Sequence, residues 1–576
     1  MFLGINAFSH DSSAALIAED GHVVAAVEEE RFTRKKKESR FPRDAIAFCL
    51  RVGGITQKEL MGIGLAWHPW LLLRDRILRE DIFSFRVKPR HLAKDVRKAF
   101  NCFRLAKWFE SEIGPLPRGC KILFYRHHLA HAASAYFGSS FEETAFLTLD
   151  GRGERETTTW GRVSGVHFER FGALEHPNSL GNFYSGLARF CGFFNSDLEG
   201  TAMAFAGCGR ASLTGPIRRI LGLPLTGGSP LKIAMNTKWL DCGSGEAFPT
   251  VGLADFLGFP QRESDSEAWA PYPDISASTQ TVLEEIVLGL ASHLYSRTRS
   301  TRLVLAGGVA LNSVANGRLL REGPFAETFI QPAAHDAGLA LGCGLLMANE
   351  GRSTRLPPDG TAPFYGPEFN RSEIMTALER IPEISFAEVD KIAERAADSL
   401  AQGKVVAWFQ GRLEFGPRAL GNRSLLADPR EKRIAERLNR IKRRQAFRPF
   451  AIAILDEFRS EWLSSGLESP HMLLVDRLKS DRNEQAPAAM HADGSVRTQT
   501  VRRTQNPLFY DLLRAFFAKT GIPMLVNTSL NVGGEPLACS PADAVRAFLD
   551  SDIDAMAIGP FWVERKLGYF PAEVPI

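Results

Sequence analysis

The chain opens with an apolar run from Met1 to Phe8, a polar stretch Ser9-His10-Asp11-Ser12-Ser13, and a second apolar run from Ala14 to Ala18. Glu19-Asp20-Gly21 then precedes a third run, His22 to Val27. Short apolar runs parted by an Asp-Gly pair predict a strand, a polar turn and a β-hairpin. The same order returns between Thr144 and Arg162. There TAFLTLD ends at Asp150, Gly151-Arg152-Gly153-Glu154 makes a glycine-rich turn, and TTTWGRV begins the next strand. A further apolar run in LVLAGGVALNSVANGRL, Leu303 to Leu319, gives way at Gly307-Gly308 to a helical pattern. That is a strand-to-helix turn at which backbone can come close to a ligand. From Glu350 to Asn370 the periodicity stops and Pro and Gly accumulate, which predicts a linker. Beyond it a fresh alternation of helices and strands fills about two hundred residues, an ordinary domain size. The pattern predicts an α/β protein with one domain at 1–349, a linker at 350–370 and a second domain at 371–576.

Length and composition agree with that division. A chain of 576 residues is too long for one ordinary core. Its 44% hydrophobic and 24% charged residues are the balance of a soluble globular protein. A net charge of +4 argues neither for nor against an anionic partner, so local basic clusters matter more. The eight cysteines are dispersed without a C-x-x-C pair. They read as free thiols in a reducing compartment rather than a disulfide frame or a zinc site. Met1 leads directly into a strand and no apolar run is long enough to span a bilayer, so a cytoplasmic location is expected.

Two units of strand, turn and hairpin, each with an acidic residue at the turn, point to a duplicated α/β core that grips a ligand between its halves. Actin-like and sugar-kinase ATPases are built this way. Within the core, His127-His128-Leu129-Ala130-His131 precedes an Ala-rich helical stretch. His127 and His131 share one helix face, the spacing at which two imidazoles hold one metal ion. A hydrogen-bonded helix terminus with surface histidines has the same spacing. Asp150 at a strand end and Asp336 in the turn Pro332–Gly338 add two carboxylates, a set suited to Fe(II), Mn(II) or Zn(II).

In the second domain, Glu414-Phe-Gly-Pro-Arg-Ala-Leu-Gly-Asn-Arg-Ser424 puts Arg418 and Arg423 on a Gly/Pro-rich turn, and Ala427 to Phe450 is dense in Lys and Arg. A solvated helical face accounts for Arg433, Arg437 and Arg440. It does not account for Arg448, set between aromatics in Phe447-Arg-Pro-Phe450. Arg497, in His491–Arg497, and Asn527, in Asn527–Glu535, add polar groups at further turns. Guanidiniums converging from separate turns make a pocket for a small polyanion, because Arg binds phosphate bidentately. Few aromatics are interleaved along one face, which weighs against nucleic acid.

HDSSAAL, EEERFTRKK, HHLAHAASAY, LDGRGE, SLGNFYS, AGGVALN, HDAGLALG, FGPRALGNRS, FRPFA, HADGSVRTQ and NTSLNVGGEP occur in this order from the N-terminus. In these motifs the chain resembles the O-carbamoyltransferases of the nodulation and cephamycin type, over nearly its whole length. The resemblance implies an N-terminal actin-like ATPase (ASKHA) domain and an α/β YrdC-like C-terminal domain. The C-terminal domain would make carbamoyl-adenylate from carbamoyl phosphate and ATP. The N-terminal domain, holding a divalent metal taken to be Fe(II), would pass the carbamoyl group to a hydroxyl of a small natural product, as in antibiotic tailoring. On the same resemblance, His127, His131, Asp150 and Asp336 match the metal ligands, and His10 and Lys36 match the transfer site. Arg418, Arg423, Arg448, Arg497 and Asn527 match the carbamoyl phosphate side; Lys442 and Ser529 match the nucleotide side. Gly151, Gly307, Gly308 and Asn312, at the glycine turns, are further nucleotide-binding candidates. His10 would accept the proton of the acceptor hydroxyl, and Lys36 would neutralise charge developing on the carbonyl or phosphate.

The partners so implied are Mg-ATP, carbamoyl phosphate and a hydroxylated acceptor, with no nucleic acid and no membrane; a homodimer is compatible with them. One run departs from the pattern. Where much of the family has E-G-K-x-M-G-L-A, this chain has Glu199-Gly-Thr-Ala-Met-Ala-Phe-Ala206, without the lysine. Competing readings are carbamoyl or threonylcarbamoyl transfer to tRNA or a protein, an actin-like small-molecule kinase, and a nucleotide sensor without chemistry. Transfer to tRNA leaves the Arg-rich domain unused, transfer to a protein in hydrogenase maturation would want an acylphosphatase segment and C-x-x-C pairs, and a kinase leaves the histidine pair unused.

Overall fold

Where the pattern predicts paired apolar runs, the computed structural model has two five-stranded sheets of the same design. It describes residues 1–77, 89–243, 246–264, 269–358 and 363–566. In the first sheet β1 (Phe2–Asn6), β2 (Ser13–Ile17) and β3 (Val23–Glu28) form an antiparallel meander, and β4 (Gly62–Leu65) and β5 (Lys121–Phe124) add in parallel beside β1, in the order β3-β2-β1-β4-β5. In the second, β6 (Glu143–Leu149), β7 (Glu156–Ser164) and β8 (His167–Glu175) repeat the meander. A small hairpin, β9 (Leu240–Asp241) and β10 (Phe248–Pro249), intervenes in the chain. Parallel strands β11 (Arg302–Ala306) and β12 (Glu327–Ile330) then complete the order β12-β11-β6-β7-β8. This is a duplicated α/β core of actin-like fold, the strand order of one sheet repeated in the other. β1 and β2 are apolar runs because both their faces are covered.

Helices His127–Gly138 and Gly338–Ala348 pack against each other beside these sheets. Their small residues allow a close approach. A Cβ added at Gly342 would stand 2.0 Å from Ala130 O, which no side chain tolerates.

The second unit is a mixed α/β domain. Among the described residues its sheet joins β13 (Ile384–Glu388), β14 (Val406–Phe409), β15 (Arg423–Ala427), β16 (Ala451–Leu455), β17 (Leu474–Arg477), β18 (Ser495–Val501), β19 (Met524–Ser529), β20 (Ala555–Ile558) and β21 (Phe561–Arg565). The order is β13-β21-β20-β14-β15-β19-β16-β18-β17. One apolar cluster, with Trp408, Ile452, Leu512 and Phe516, and another, with Phe409, Leu438, Val526 and Phe548, form its core.

The units are Met1–Glu30 with Lys37–Gly360, and Arg31–Lys36 with Thr361–Ile576. The second is therefore discontinuous in sequence, which the reading of one domain per half does not anticipate. Arg31 donates to Gly416 O (2.9 Å), Arg34 donates to Pro536 O (2.7 Å) and Leu537 O (2.5 Å), and Phe32 packs with Leu413, Ala419, Leu537 and Cys539. The described parts of the expected linker are also pinned, each within its own unit. Arg355 donates to the carbonyls of Tyr136, Phe137, Ser139 and Phe141, closing the carboxyl end of helix His127–Gly138. Gly366 and Leu413 bond through backbone on the other side. The remainder of that expected linker, 359–362, and the end of the expected second domain, 567–576, lie outside the described residues. Among the described residues no helix is long and apolar enough to cross a membrane.

Candidate active site

Parallel strands deliver their following turns to one edge of a sheet, the usual place for a ligand in an α/β fold. β1 leads to Ser9–Ser13, β4 to Trp67-His68, and β5 to helix His127–Gly138. Asn6, the last residue of β1, donates to His10 O (3.1 Å) and Asp11 O (3.0 Å), fixing a turn in which Asp11 takes φ 58°. Trp67 Nε1 donates to Asn6 Oδ1 at 3.1 Å, joining the first two turns.

His127 and His131 face Asp150 and Asp336. Their Nε2 atoms are 3.1 Å apart, and His127 Nε2 lies 3.1 Å from Asp150 Oδ2. Asp336 Oδ1 is 3.5 Å from each Nε2. One donor atom from each of the four residues lies within 4.8 Å of the others, and all four residues are buried. Asp336 Oδ1 has no hydrogen-bond partner, a costly state for a buried carboxylate unless something cationic is to meet it. Two nitrogens and two carboxylate oxygens turned to one point fit a divalent cation of the borderline class. Burial works to neutralise the acids, but His10 and His127 hold Asp336, and His127 holds Asp150, below the ordinary carboxylate range.

The groups around the four hold them in place. Gly308 N–H donates to Asp150 Oδ1 at 2.8 Å, so the glycine turn predicted to meet a nucleotide spends this amide on a metal-ligand candidate. Glu154, buried, accepts from His127 N (3.1 Å) and His68 N (2.9 Å). Glu154 closes the LDGRGE motif, whose pattern alone assigns it no role. His128 takes no part in the cluster: its ring is bonded to Thr148 Oγ1 (2.8 Å) and Glu156 O (3.0 Å). Burial, reinforced by His127 and His131, draws its pKa down to about 3, which leaves it neutral. His10 Nδ1 is 2.8 Å from Asp11 Oδ2 and 3.7 Å from Asp336 Oδ2, with the side chain 56% exposed. The surrounding protein pulls its pKa down, yet Asp336, Asp11 and Asp150 outweigh that and lift it to about 9.

Other predicted residues fall elsewhere. Lys36 belongs to the second unit and His10 to the first. Asn312 caps helix Ser313–Glu322 and exchanges amide bonds with Gln280, which accounts for it without a nucleotide. Gly151 O accepts from Ser179 Oγ at 2.7 Å.

In the second unit, Arg497, Ala451 and Asn527 are cross-strand neighbours on β18, β16 and β19, so Arg497 and Asn527 share a sheet face. Asn527 Oδ1 is buried without a partner. Arg418, Arg448 and Arg497 are partly exposed. Arg423 is not: it lies over the Phe409 ring and its guanidinium donates to the carbonyls of Gln410, Gly411, Asn422 and Pro367. These bonds make Arg423 a tie between the Gln410–Asn422 turn and Pro367, in contrast to the partly exposed Arg418, Arg448 and Arg497. Lys442 is buried and donates to Ser529 O (2.7 Å), Ser529 Oγ (2.9 Å) and Asn531 O (2.9 Å), bracing the loop predicted to meet the nucleotide. The Arg444 guanidinium lies over the Phe450 ring, 4.2 Å from its centroid. Arg437, expected to be solvated, bonds Asp552 and Asp554.

Two family models match this chain: Carbamoyltransferase N-terminus over residues 1–345, which contain the His/Asp cluster, and Carbamoyltransferase C-terminus over residues 397–565. The chain belongs to the carbamoyltransferase family. The nodulation protein NolNO of Sinorhizobium fredii is 34% identical over 97% of this chain and 80% of its own length. The 3'-hydroxymethylcephem-O-carbamoyltransferase of Streptomyces clavuligerus is 35% identical over 46% of this chain and 50% of its own. Among solved structures, the activator of 2-hydroxyisocaproyl-CoA dehydratase from Clostridium difficile aligns at a TM-score of 0.31 and 12% identity, over 61% of this chain and 94% of that one. This carbamoyltransferase is a transferase enzyme. Its departure in the Glu199–Ala206 run is structurally explained: Thr201 is fully buried in helix Leu198–Ala206, its hydroxyl on Asp197 O at 2.9 Å. A lysine there would bury an ammonium.

Proposed function

We propose that this carbamoyltransferase makes carbamoyl-adenylate from carbamoyl phosphate and ATP in its second unit and transfers the carbamoyl group, in its first unit, to a hydroxyl of a small natural product. The observation that carries this reading is the buried His127, His131, Asp150 and Asp336 cluster at the strand ends of a duplicated ATPase core. A divalent cation held by these four, Fe(II) on the family resemblance, would supply Lewis-acid polarisation of the carbamoyl carbonyl. Asp11 orients the His10 ring through Nδ1, and His10 takes the proton of the attacking hydroxyl. As a base His10 must be neutral, which requires the Asp336 charge to be offset when substrate is bound. In the second unit, Arg418, Arg448 and Arg497 bind carbamoyl phosphate beside Asn527, and Lys442 holds the Ser529 loop against the nucleotide. Mixed anhydrides hydrolyse in bulk water, so the intermediate gains from being made and used in one enzyme.

Isotope-labelled ATP tests the reading. AMP and pyrophosphate should form only with carbamoyl phosphate present and in proportion to carbamoylated product. ADP as the main nucleotide product would replace this reading with a kinase.

A further inference from the structure

One cation in the first unit lies beside the histidine cluster without a counter-ion. Lys98 is on helix Pro89–Phe103, part of the long connection between β4 and β5. One turn earlier, Asp95 pairs with Arg152 at 3.2 Å, which moors this helix to the turn following Asp150. Lys98 Nζ lies 2.7 Å from the centroid of the Trp67 ring, and that ring's centroid is 4.4 Å from the His127 ring. Trp67 cannot swing away, because its Nε1 is bonded to Asn6. Among the described residues no hydrogen-bond acceptor and no carboxylate reaches the Lys98 ammonium.

An aromatic face attracts a cation but offers it no lone pair, and an ammonium has three donors to place. The charged and titratable groups facing Lys98 are Cys102 and Asp95 of its own helix, Glu154 from the turn after β6, and Asp336 from the turn before helix Gly338–Ala348. Burial outweighs all four and draws the amine down to about 7. The amine's hold on the proton is therefore weakened relative to a solvated lysine. A phosphate oxygen would supply a charged acceptor and favour the protonated amine.

We propose that Lys98 is a further catalytic residue of the transfer site, its side chain receiving a phosphate oxygen of the adenylate. In the transfer step the acceptor oxygen bonds to the carbamoyl carbon and its proton passes to His10. The bond from that carbon to the phosphate oxygen breaks, and the electron pair stays on AMP, where Lys98 holds it. The inference rests on the carbamoyl-adenylate reading above.

The probe is AMP with the full-length protein, and calorimetry in two buffers of different ionisation heat counts protons. At pH 8, about two units above its second pKa, the AMP phosphate is almost wholly dianionic, so a proton taken up on binding there goes to the protein. AMP binding should take up a fraction of a proton near pH 8, with affinity falling several-fold between pH 7 and 9. Lys98→Met should abolish the uptake and weaken AMP about tenfold at pH 7. Lys98→Arg, always charged, should keep the affinity and lose the pH dependence. Inorganic phosphate, run in parallel, should show weaker uptake than AMP. No proton uptake in the unsubstituted protein, uptake retained by Lys98→Met, or Lys98-dependent uptake with phosphate and none with AMP overturns the proposal. Failure of the carbamoyl-adenylate reading shows separately, as an absence of AMP and pyrophosphate when ATP and carbamoyl phosphate are supplied.

Discussion

At the scale of single residues, what decides a role is where a side chain's hydrogen bonds go. Arg423 and Arg448 look alike in the sequence, each in a motif with Gly or Pro beside it. Arg423 is fully buried over Phe409 and its two terminal nitrogens donate to backbone carbonyls, while its Nε has no partner; Arg448 keeps partial exposure. Arg448→Ala should therefore abolish carbamoyl-phosphate-dependent pyrophosphate release with an unchanged melting temperature, a loss of roughly 2–4 kcal/mol of binding if the group is desolvated. Arg423→Leu should do the reverse: the chain becomes less stable by about 2–4 kcal/mol, because several carbonyls lose their donor at once, while the protein that remains folded keeps its KM for carbamoyl phosphate. Initial rates and thermal melts on both variants check this pair. Equal losses of pyrophosphate release would return Arg423 to the anion pocket.

At the scale of elements, the apolar pattern was enough to place the strands that carry the site. The runs at Met1–Phe8, Ala14–Ala18 and His22–Val27 became β1, β2 and β3, and the second meander fell at Thr144–Arg162 as expected. The pairing of His127 with His131 was legible because helix geometry fixes which residues share a face. What lay beyond the sequence was long-range: that Gly308 would spend its amide on Asp150, that Glu154 would hold the start of the His127 helix, and that residues 31–36 would fold with the second unit. None of these leaves a periodic signal, since each depends on elements more than a hundred residues apart or on a turn's exact path. Gly307 makes the point testable. It sits at φ 94°, and an added Cβ would stand 2.2 Å from Leu149 O, just before Asp150. Gly307→Ala should displace the β11 turn, lower stability by about 3 kcal/mol or more through strain and clash, and weaken metal retention. Metal analysis after dialysis, read beside a urea titration, measures both. A variant with unchanged stability and metal content would show that the turn relaxes without touching Asp150.

At the scale of the whole molecule, the two half-reactions proposed above are assigned to separate sets of side chains. The cluster of His127, His131, Asp150 and Asp336 belongs to the first unit, and Arg418, Arg448, Arg497 and Asn527 belong to the second. Removing one cluster ligand should therefore stop transfer and leave activation running. His131→Ala deletes a nitrogen that lies 3.1 Å from His127 Nε2 and 3.5 Å from Asp336 Oδ1, and its helix keeps Arg355 at the carboxyl end and Glu154 at the start. The variant should stay folded, lose bound metal and carbamoylated product, and still release pyrophosphate from ATP and carbamoyl phosphate, the adenylate escaping to hydrolyse. Metal content, pyrophosphate and product are measured on the same preparation. Retained metal and product would return the histidines to a structural role at a helix start, and loss of both half-reactions in a folded variant would show that the first unit's cluster is needed for activation as well.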